Sequence, residues 1–200
     1  MLEPWIAARL RPLDAAPADT AATDYDLDPD LPRREGPLAE AAVLVALVER
    51  EAALTVLLTR RADTLRSHSG QVAFPGGRVD PGETAVEAAL REAWEEIALP
   101  PERVRPAGLA DPFETATGFR ITPVVAFVRP PFTLSASAAE VAEVFEPPFA
   151  WLMDVANQEL HEGVAPDGRV RRYYVMPWEG RRIWGATARI VRHLRERLFD

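Results

Sequence analysis

Residues 41–48 form an unbroken apolar run, Ala41-Ala42-Val43-Leu44-Val45-Ala46-Leu47-Val48. A strand with apolar side chains on both faces must be covered from both sides, which marks the centre of a layered α/β sheet. The polar Glu49-Arg50-Glu51 and a second run from Leu54 to Thr59 predict a hairpin. Further strands are expected over Gln71–Phe74, Val104–Ala110, Ile121–Val128 and Arg169–Met176, and a strand edge leading into a short helix over Pro147–Val155. Helices are expected around Trp5–Leu10, over Thr84–Ala98, where Thr84 and Glu87 have capping-box spacing and Pro100-Pro101 follow the end, and over Gly185–Leu198, where Ile190, Val191, Leu194 and Leu198 recur at helical spacing. Strands interleaved with helices predict one α/β domain, a mixed β-sheet sandwiched between α-helices. Pro12–Pro37 is rich in Pro, Asp and Ala without apolar period and reads as an irregular arm. The expected organisation is therefore residues 1–38 as an N-terminal arm with a short helix and 39–200 as the domain.

Composition removes several classes of function. The chain has no cysteine, which excludes disulfides, thiolate metal sites and cysteine nucleophiles and makes a cytoplasmic location the simple expectation. A net charge of −8 argues against a nucleic-acid partner, because a phosphate polymer calls for a net basic surface. Small phosphorylated ligands stay open, since local Arg residues or bound cations can supply the positive field. No apolar run is long enough for a bilayer, and Met1–Leu10, with Glu3 and Arg9, lacks the h-region of a signal peptide.

The segment Gly76-Gly77-Arg78-Val79-Asp80-Pro81-Gly82-Glu83 and the helix after it carry the chemistry. Val86, Ala89, Leu90, Ala93 and Ile97 make an apolar stripe, and Glu92, Glu95 and Glu96 share another face, because residues three and four apart are neighbours. Like charges at that spacing cost roughly 0.2–0.5 kcal/mol per pair, and a divalent cation reverses the sign. Oxygen-only ligands favour Mg²⁺ or Mn²⁺. Arg91, one turn from both Glu87 and Glu95, is placed to hold Glu95 while Glu92 and Glu96 face the metal. The glycines let backbone approach a ligand closely. The bland alternative is a solvated acidic helix face.

Gly77, Glu83, Arg91, Glu92, Glu95 and Glu96 reproduce the spacing of the Nudix box: a Gly, five residues, a Glu, seven residues, Arg-Glu, two residues, Glu-Glu. The chain therefore resembles the Nudix hydrolases. Ala93 stands where the pattern has a larger aliphatic residue. Ala98 replaces the usual closing glycine, at a cost of about 1 kcal/mol if the backbone there is left-handed. The resemblance implies the Nudix fold. It implies Glu92 and Glu96 as principal metal ligands, Glu95 as a further ligand or base, the Gly76 carbonyl completing the sphere, and Arg91 orienting Glu95. Glu83 and Glu87 would be structural. Isopentenyl diphosphate isomerase, which shares the fold, relies on a cysteine that is missing here.

A second resemblance lies upstream. Leu57-Leu58-Thr59-Arg60-Arg61 and Leu65-Arg66-Ser67-His68-Ser69-Gly70-Gln71-Val72-Ala73-Phe74-Pro75-Gly76-Gly77 are similar to the signature of the coenzyme A diphosphatase branch, with Ala62 where that branch commonly has a serine. Ala98-Leu99-Pro100-Pro101, residues 140–146 and residues 184–188 match it as well. The resemblance implies hydrolysis of coenzyme A or acyl-coenzyme A to 3′,5′-ADP and 4′-phosphopantetheine. Another nucleoside diphosphate derivative (ADP-ribose or a dinucleotide) and a non-catalytic nucleotide-binding module are the alternatives. Arg61, Arg66 and His68 are candidates for the 3′-phosphate of coenzyme A, or else surface ion-pair residues and a structural histidine. Gln71 and Gly77 join them as candidate substrate-binding residues, with loop bracing the commoner use of such a glutamine. Glu140 is a candidate general base or further ligand, or a solvated glutamate. Trp178 and Trp184 are read as core rather than as stacking partners for adenine. No membrane partner is expected, and the assembly is read as a monomer or homodimer.

Overall fold

In the computed structural model, which describes residues 2–16, 18, 22–64, 68–165 and 168–200, the apolar run is the middle of the longest strand. In chain order the elements are α1 (Leu2–Ala7), β1 (Ala22–Thr23), β2 (Ala39–Glu49), β3 (Leu54–Val56), β4 (Leu58–Arg61), β5 (Val72–Ala73), β6 (Gly76–Arg78), α2 (Ala85–Ile97), β7 (Val104–Leu109), β8 (Phe113–Glu114), β9 (Phe119–Val128), β10 (Val141–Phe145), α3 (Phe149–Met153), β11 (Glu159–Val164), β12 (Val170–Trp178), β13 (Arg181–Trp184) and α4 (Gly185–Phe199). β2 lies parallel to β9, from Ala39 opposite Phe119 to Val48 opposite Val128. β3 and β6 run antiparallel to β2, and β7 and β8 antiparallel to β9, so the sheet is mixed.

Strand alternation sends the two halves of the apolar run to opposite sides. Ala42, Leu44, Ala46 and Val48, with Val124, Ala126 and Val128 of β9, meet Ala88, Ala89, Ala93 and Ile97 of α2. Val45 and Leu47, with Val125 and Phe127, meet Leu152 of α3 and Ile190, Val191, Leu194 and Leu198 of α4. Alanines on both α2 and the strands beneath it let helix and sheet approach closely. Ala93, the small stand-in in the box, is fully buried at that contact. This is the expected sheet sandwiched between helices.

Several elements differ from expectation. α1 spans Leu2–Ala7 rather than Trp5–Leu10, because Pro4 is tolerated in a first turn; Ile6 and Leu10 are buried in the core shared with α4. The expected strand over residues 54–59 changes partner at Leu57. The lower part of that edge of β2 is taken by β6, so the Leu57 N–H makes a last bond to Ala46 O and β4 turns away to pair with β5 and β10. The hairpin of β2 and β3 forms as expected. β12 has two antiparallel partners, β11 and β13, that apolar patterning did not reveal. Among the described residues of the 12–37 stretch, the chain is irregular apart from β1, which pairs with β8, and a 3₁₀ turn at Asp24–Asp26. Among the described residues, no helix is long and apolar enough to cross a membrane.

Candidate active site

α2 begins where the sequence says it should. Thr84 Oγ1 accepts from the Glu87 N–H at 3.2 Å, and the Glu87 carboxylate accepts from the Thr84 N–H at 2.8 Å, a reciprocal cap that also lowers the Glu87 pKa. Glu87 is therefore occupied by the cap and makes no pair with Arg91.

Arg91 is a hub. Its Nε and Nη2 donate to both oxygens of Glu83 at 2.9 and 3.0 Å, Nη2 also to the Arg78 carbonyl at 3.0 Å, and Nη1 to Glu92 at 2.9 Å and Glu95 at 3.2 Å. The expected hold on Glu95 is present, but the strongest grip is the two-pronged one on Glu83. That grip, with the Asp80 N–H, holds the Glu83 carboxyl below its usual range. Glu83 and Arg91 thus fasten the turn after β6 to the helix carrying the other glutamates.

The glycines are needed for contact. A Cβ on Gly77 would come within 2.3 Å of Glu92 Oε1, so the carboxylate lies against bare backbone. A Cβ on Gly76 would meet Ala42 O at 2.4 Å, and its absence lets β6 close on β2.

Glu96 projects from the same helix into this seam and is only 3% exposed. The Gly76 N–H donates to its carboxylate, and its Oε2, fully buried, has no partner. Burial first, and the Glu92 charge second, push its pKa up to about 8; Arg61 and the Gly76 N–H oppose the rise, while Glu140 adds to it. Two carboxylates thus share a space that keeps one of them poorly compensated. Glu95, by contrast, is exposed.

Among the described residues no three acidic or histidine side chains converge tightly enough to enclose a metal by themselves. The donors still suit a hard cation. Arg91 holds Glu92 and Glu95 through one nitrogen, while Glu96 keeps an orphaned oxygen beside the Gly76 backbone, and Mg²⁺ sites typically use one or two carboxylates with substrate phosphates and waters.

Beside this seam lies a cavity of about 620 Å³ reached by Arg61, His68 and Gln71. Arg61, at the end of β4, also bears electrostatically on Glu96, and its Nε is buried without a hydrogen-bond partner. His68 has a φ of 57° and its Nδ1 lies 2.9 Å from Gln71 Oε1, so Gln71 braces the loop. Arg66 lies outside the described residues. Glu140 is exposed, and its carbonyl accepts from the Ala62 N–H at 2.8 Å, at the edge of β4 and β10. Trp178 packs on Trp151 with ring centroids 4.7 Å apart, as a core residue should, whereas Trp184 lines the cavity and meets Tyr173 edge-on. Sequence reasoning missed Asp24, Asp28 and Leu31 from the N-terminal segment and Arg171, Arg172 and Tyr173 from β12. They lie far from the box in sequence and have no shared spacing that could have flagged them.

Residues 38–178 match the family model described as the NUDIX domain. A protein of Cronobacter sakazakii named "Uncharacterized Nudix hydrolase NudL" is 42% identical over 172 residues, covering 84% of this chain and 87% of that relative. The protein of the same name from Escherichia coli O7:K1 is 43% identical over 162 residues, covering 78% and 80%. The crystal structure of DR0079 from Deinococcus radiodurans has a TM-score of 0.50 at 17% identity, covering 78% of this chain and 82% of that one, a likeness of fold alone. With the matched domain spanning most of the chain and the Glu92–Glu96 seam lying inside it, this protein belongs to the Nudix family and is a Nudix hydrolase.

Proposed function

We propose that the enzyme hydrolyses the diphosphate bridge of coenzyme A or an acyl-coenzyme A, releasing 3′,5′-ADP and (acyl-)4′-phosphopantetheine, with Mg²⁺ or Mn²⁺. The buried, unpartnered oxygen of Glu96 opposite Glu92 is the observation that carries the diphosphatase reading. An uncompensated buried carboxylate costs stability unless a cation takes up its charge. The signature from Leu57 to Gly77, which frames both the seam and the cavity mouth, supports the choice of coenzyme A.

Glu92 and Glu96 would hold the cation, with the Gly76 carbonyl and Glu95 as further donors. A bound divalent cation supplies positive charge to the diphosphate oxygens and acidifies water. The chain's own residues do the rest. Arg91 fixes Glu92 and Glu95 in place. Gly76 and Gly77 hold the backbone close enough for a phosphate to enter the seam. Arg61, its Nε unpaired, contributes a positive charge where an anionic substrate enters, with His68, braced by Gln71, and Arg66 toward the 3′-phosphate. Glu140, exposed and within electrostatic reach of Glu96, is our choice for accepting the proton of the attacking water, and Glu95 is the alternative. In pH–rate profiles, Glu140→Gln should remove the basic-group limb that Glu95→Gln keeps.

Product analysis with coenzyme A, succinyl-coenzyme A and ADP-ribose, each with Mg²⁺ and with Mn²⁺, tests the reading. The expected result is 3′,5′-ADP from the coenzyme A compounds at the highest kcat/KM. A strong preference for ADP-ribose would overturn the substrate assignment.

A further inference from the structure

The N-terminal segment is fastened across the far side of the cavity by contacts to residues distant in sequence. The Asp24 carboxylate accepts from the Ala116 N–H at 2.8 Å. Asp28 accepts from the Arg172 N–H at 2.9 Å and pairs with the Arg172 guanidinium at 3.4 Å. Arg189 donates to Thr23 O and to Asp26, each at 3.2 Å. Arg34 donates to Thr117 O at 3.0 Å, lying over Gly118, where a Cβ would come within 2.6 Å of the guanidinium. Between these anchors, Asp24, Asp28 and Leu31 face the cavity.

The chemistry of that end differs from the mouth. Arg61 and His68 stand at the mouth, beside the glutamate seam. At the strap end, Arg172 is tied to Asp28, Asp24 and Arg171 join the lining, and Leu31 and Phe119 make apolar walls that Ile121 and Val43 continue toward β6. With Asp24 and Asp28 set among Arg171 and Arg172, that end presents no net positive charge to draw phosphates, whereas an uncharged chain with amide N–H groups finds both acceptors and apolar walls. A cavity of this size admits a sizeable organic group.

We propose that residues 24–31 are the specificity-determining wall of this enzyme: they close the cavity around the uncharged, chain-like half of the diphosphate substrate, and Leu31 sets the length that fits. The proposal rests on the coenzyme A reading and extends it from the diphosphate to the acyl end.

The test measures kcat and KM separately for coenzyme A and for its acetyl, butyryl and octanoyl thioesters, using the unmodified 200-residue chain, Leu31→Trp and Leu31→Ala, with thermal melts to confirm that each variant is folded. Leu31→Trp fills the cavity from the strap side, so KM should rise by roughly tenfold or more once the acyl chain outgrows the space left, with kcat changing less. Leu31→Ala should move the preference toward longer chains, and Asp28→Ala, which releases the strap from Arg172, should move it the same way. A KM that responds equally for every chain length, or that ignores both Leu31 variants, overturns the wall and leaves the coenzyme A reading standing. Absence of turnover for every coenzyme A compound in the unmodified enzyme overturns that reading and this proposal with it.

Discussion

Ala98 has φ 52° and ψ 36°, the left-handed conformation that closes α2, with its N–H directed to Ala93 O and Trp94 O. The cost anticipated from the missing glycine is therefore incurred, and the helix ends where a glycine would have ended it. Ala98→Gly should raise the free energy of unfolding by about 1 kcal/mol, read from denaturant midpoints at constant m-value; an unchanged or lower midpoint would show that the strain is relieved elsewhere. Gly77 makes the opposite demand. Gly77→Ala would drive a methyl into the Glu92 carboxylate, and a displacement of that order should lower kcat/KM by roughly 100-fold, with near-UV circular dichroism unchanged. The box identified these residues by type and spacing. What it could not convey is that Glu96 is buried with one oxygen orphaned, because that depends on Gly76, Ala42 and Arg61 arriving from other parts of the chain.

α2 was the most legible element, because its cap, its apolar stripe and its terminator all agree. β2, β9 and α4 were legible for the same reason: long runs with one period. β11 was not, since Glu159–Val164 is solvated on most positions and carries no alternation to detect; β8, only two residues long, gives no period at all. The change of partner at Leu57 was equally hidden, as Val56, Leu57 and Leu58 keep strand alternation while the neighbouring strand changes. Two tests belong at this scale. Arg91 joins β6, the turn and α2 through a planar fork, so Arg91→Lys, which keeps the charge but not the geometry, should lower kcat by about tenfold or more, and activity close to that of the parent would show that charge alone suffices. In α4, burial first and the Arg189 charge second hold the His193 pKa below its ordinary 6.5. The unfolded chain then binds the proton more readily, so this contribution to stability is complete above pH 6.5 and is lost as pH falls through the lower folded value. His193→Gln should flatten the fall of Tm on acidification below pH 6.5; an unchanged slope would assign that acid sensitivity to other groups.

For the whole molecule, a central sheet with apolar side chains on both faces requires helices on both, and α2 on one side and α4 with α3 on the other meet that requirement. The fold was legible at this scale because the 41–48 run already implied two covers. The cavity was not: it joins the Asp24–Leu31 strap, the β4–β5 loop, β12 and the start of α4, segments brought together only by the tertiary structure. The molecule thus places the Glu92–Glu96 carboxylate pair beside an open, largely apolar cavity, an arrangement that fits the proposed cutting of a diphosphate joining two unlike halves. We propose that the Glu92–Glu96 pair grips a divalent cation that the reaction requires. The most direct measurement is titration of Mn²⁺ into the protein, followed by calorimetry or electron paramagnetic resonance, for the parent, Glu96→Gln and Glu92→Gln, with coenzyme A turnover measured on the same samples. The expected result is saturable binding in the parent, its loss in both variants, and a fall in kcat of several orders of magnitude in Glu96→Gln with the fold intact. Near-normal turnover in Glu96→Gln, or Mn²⁺ binding unaffected by either substitution, would contradict it.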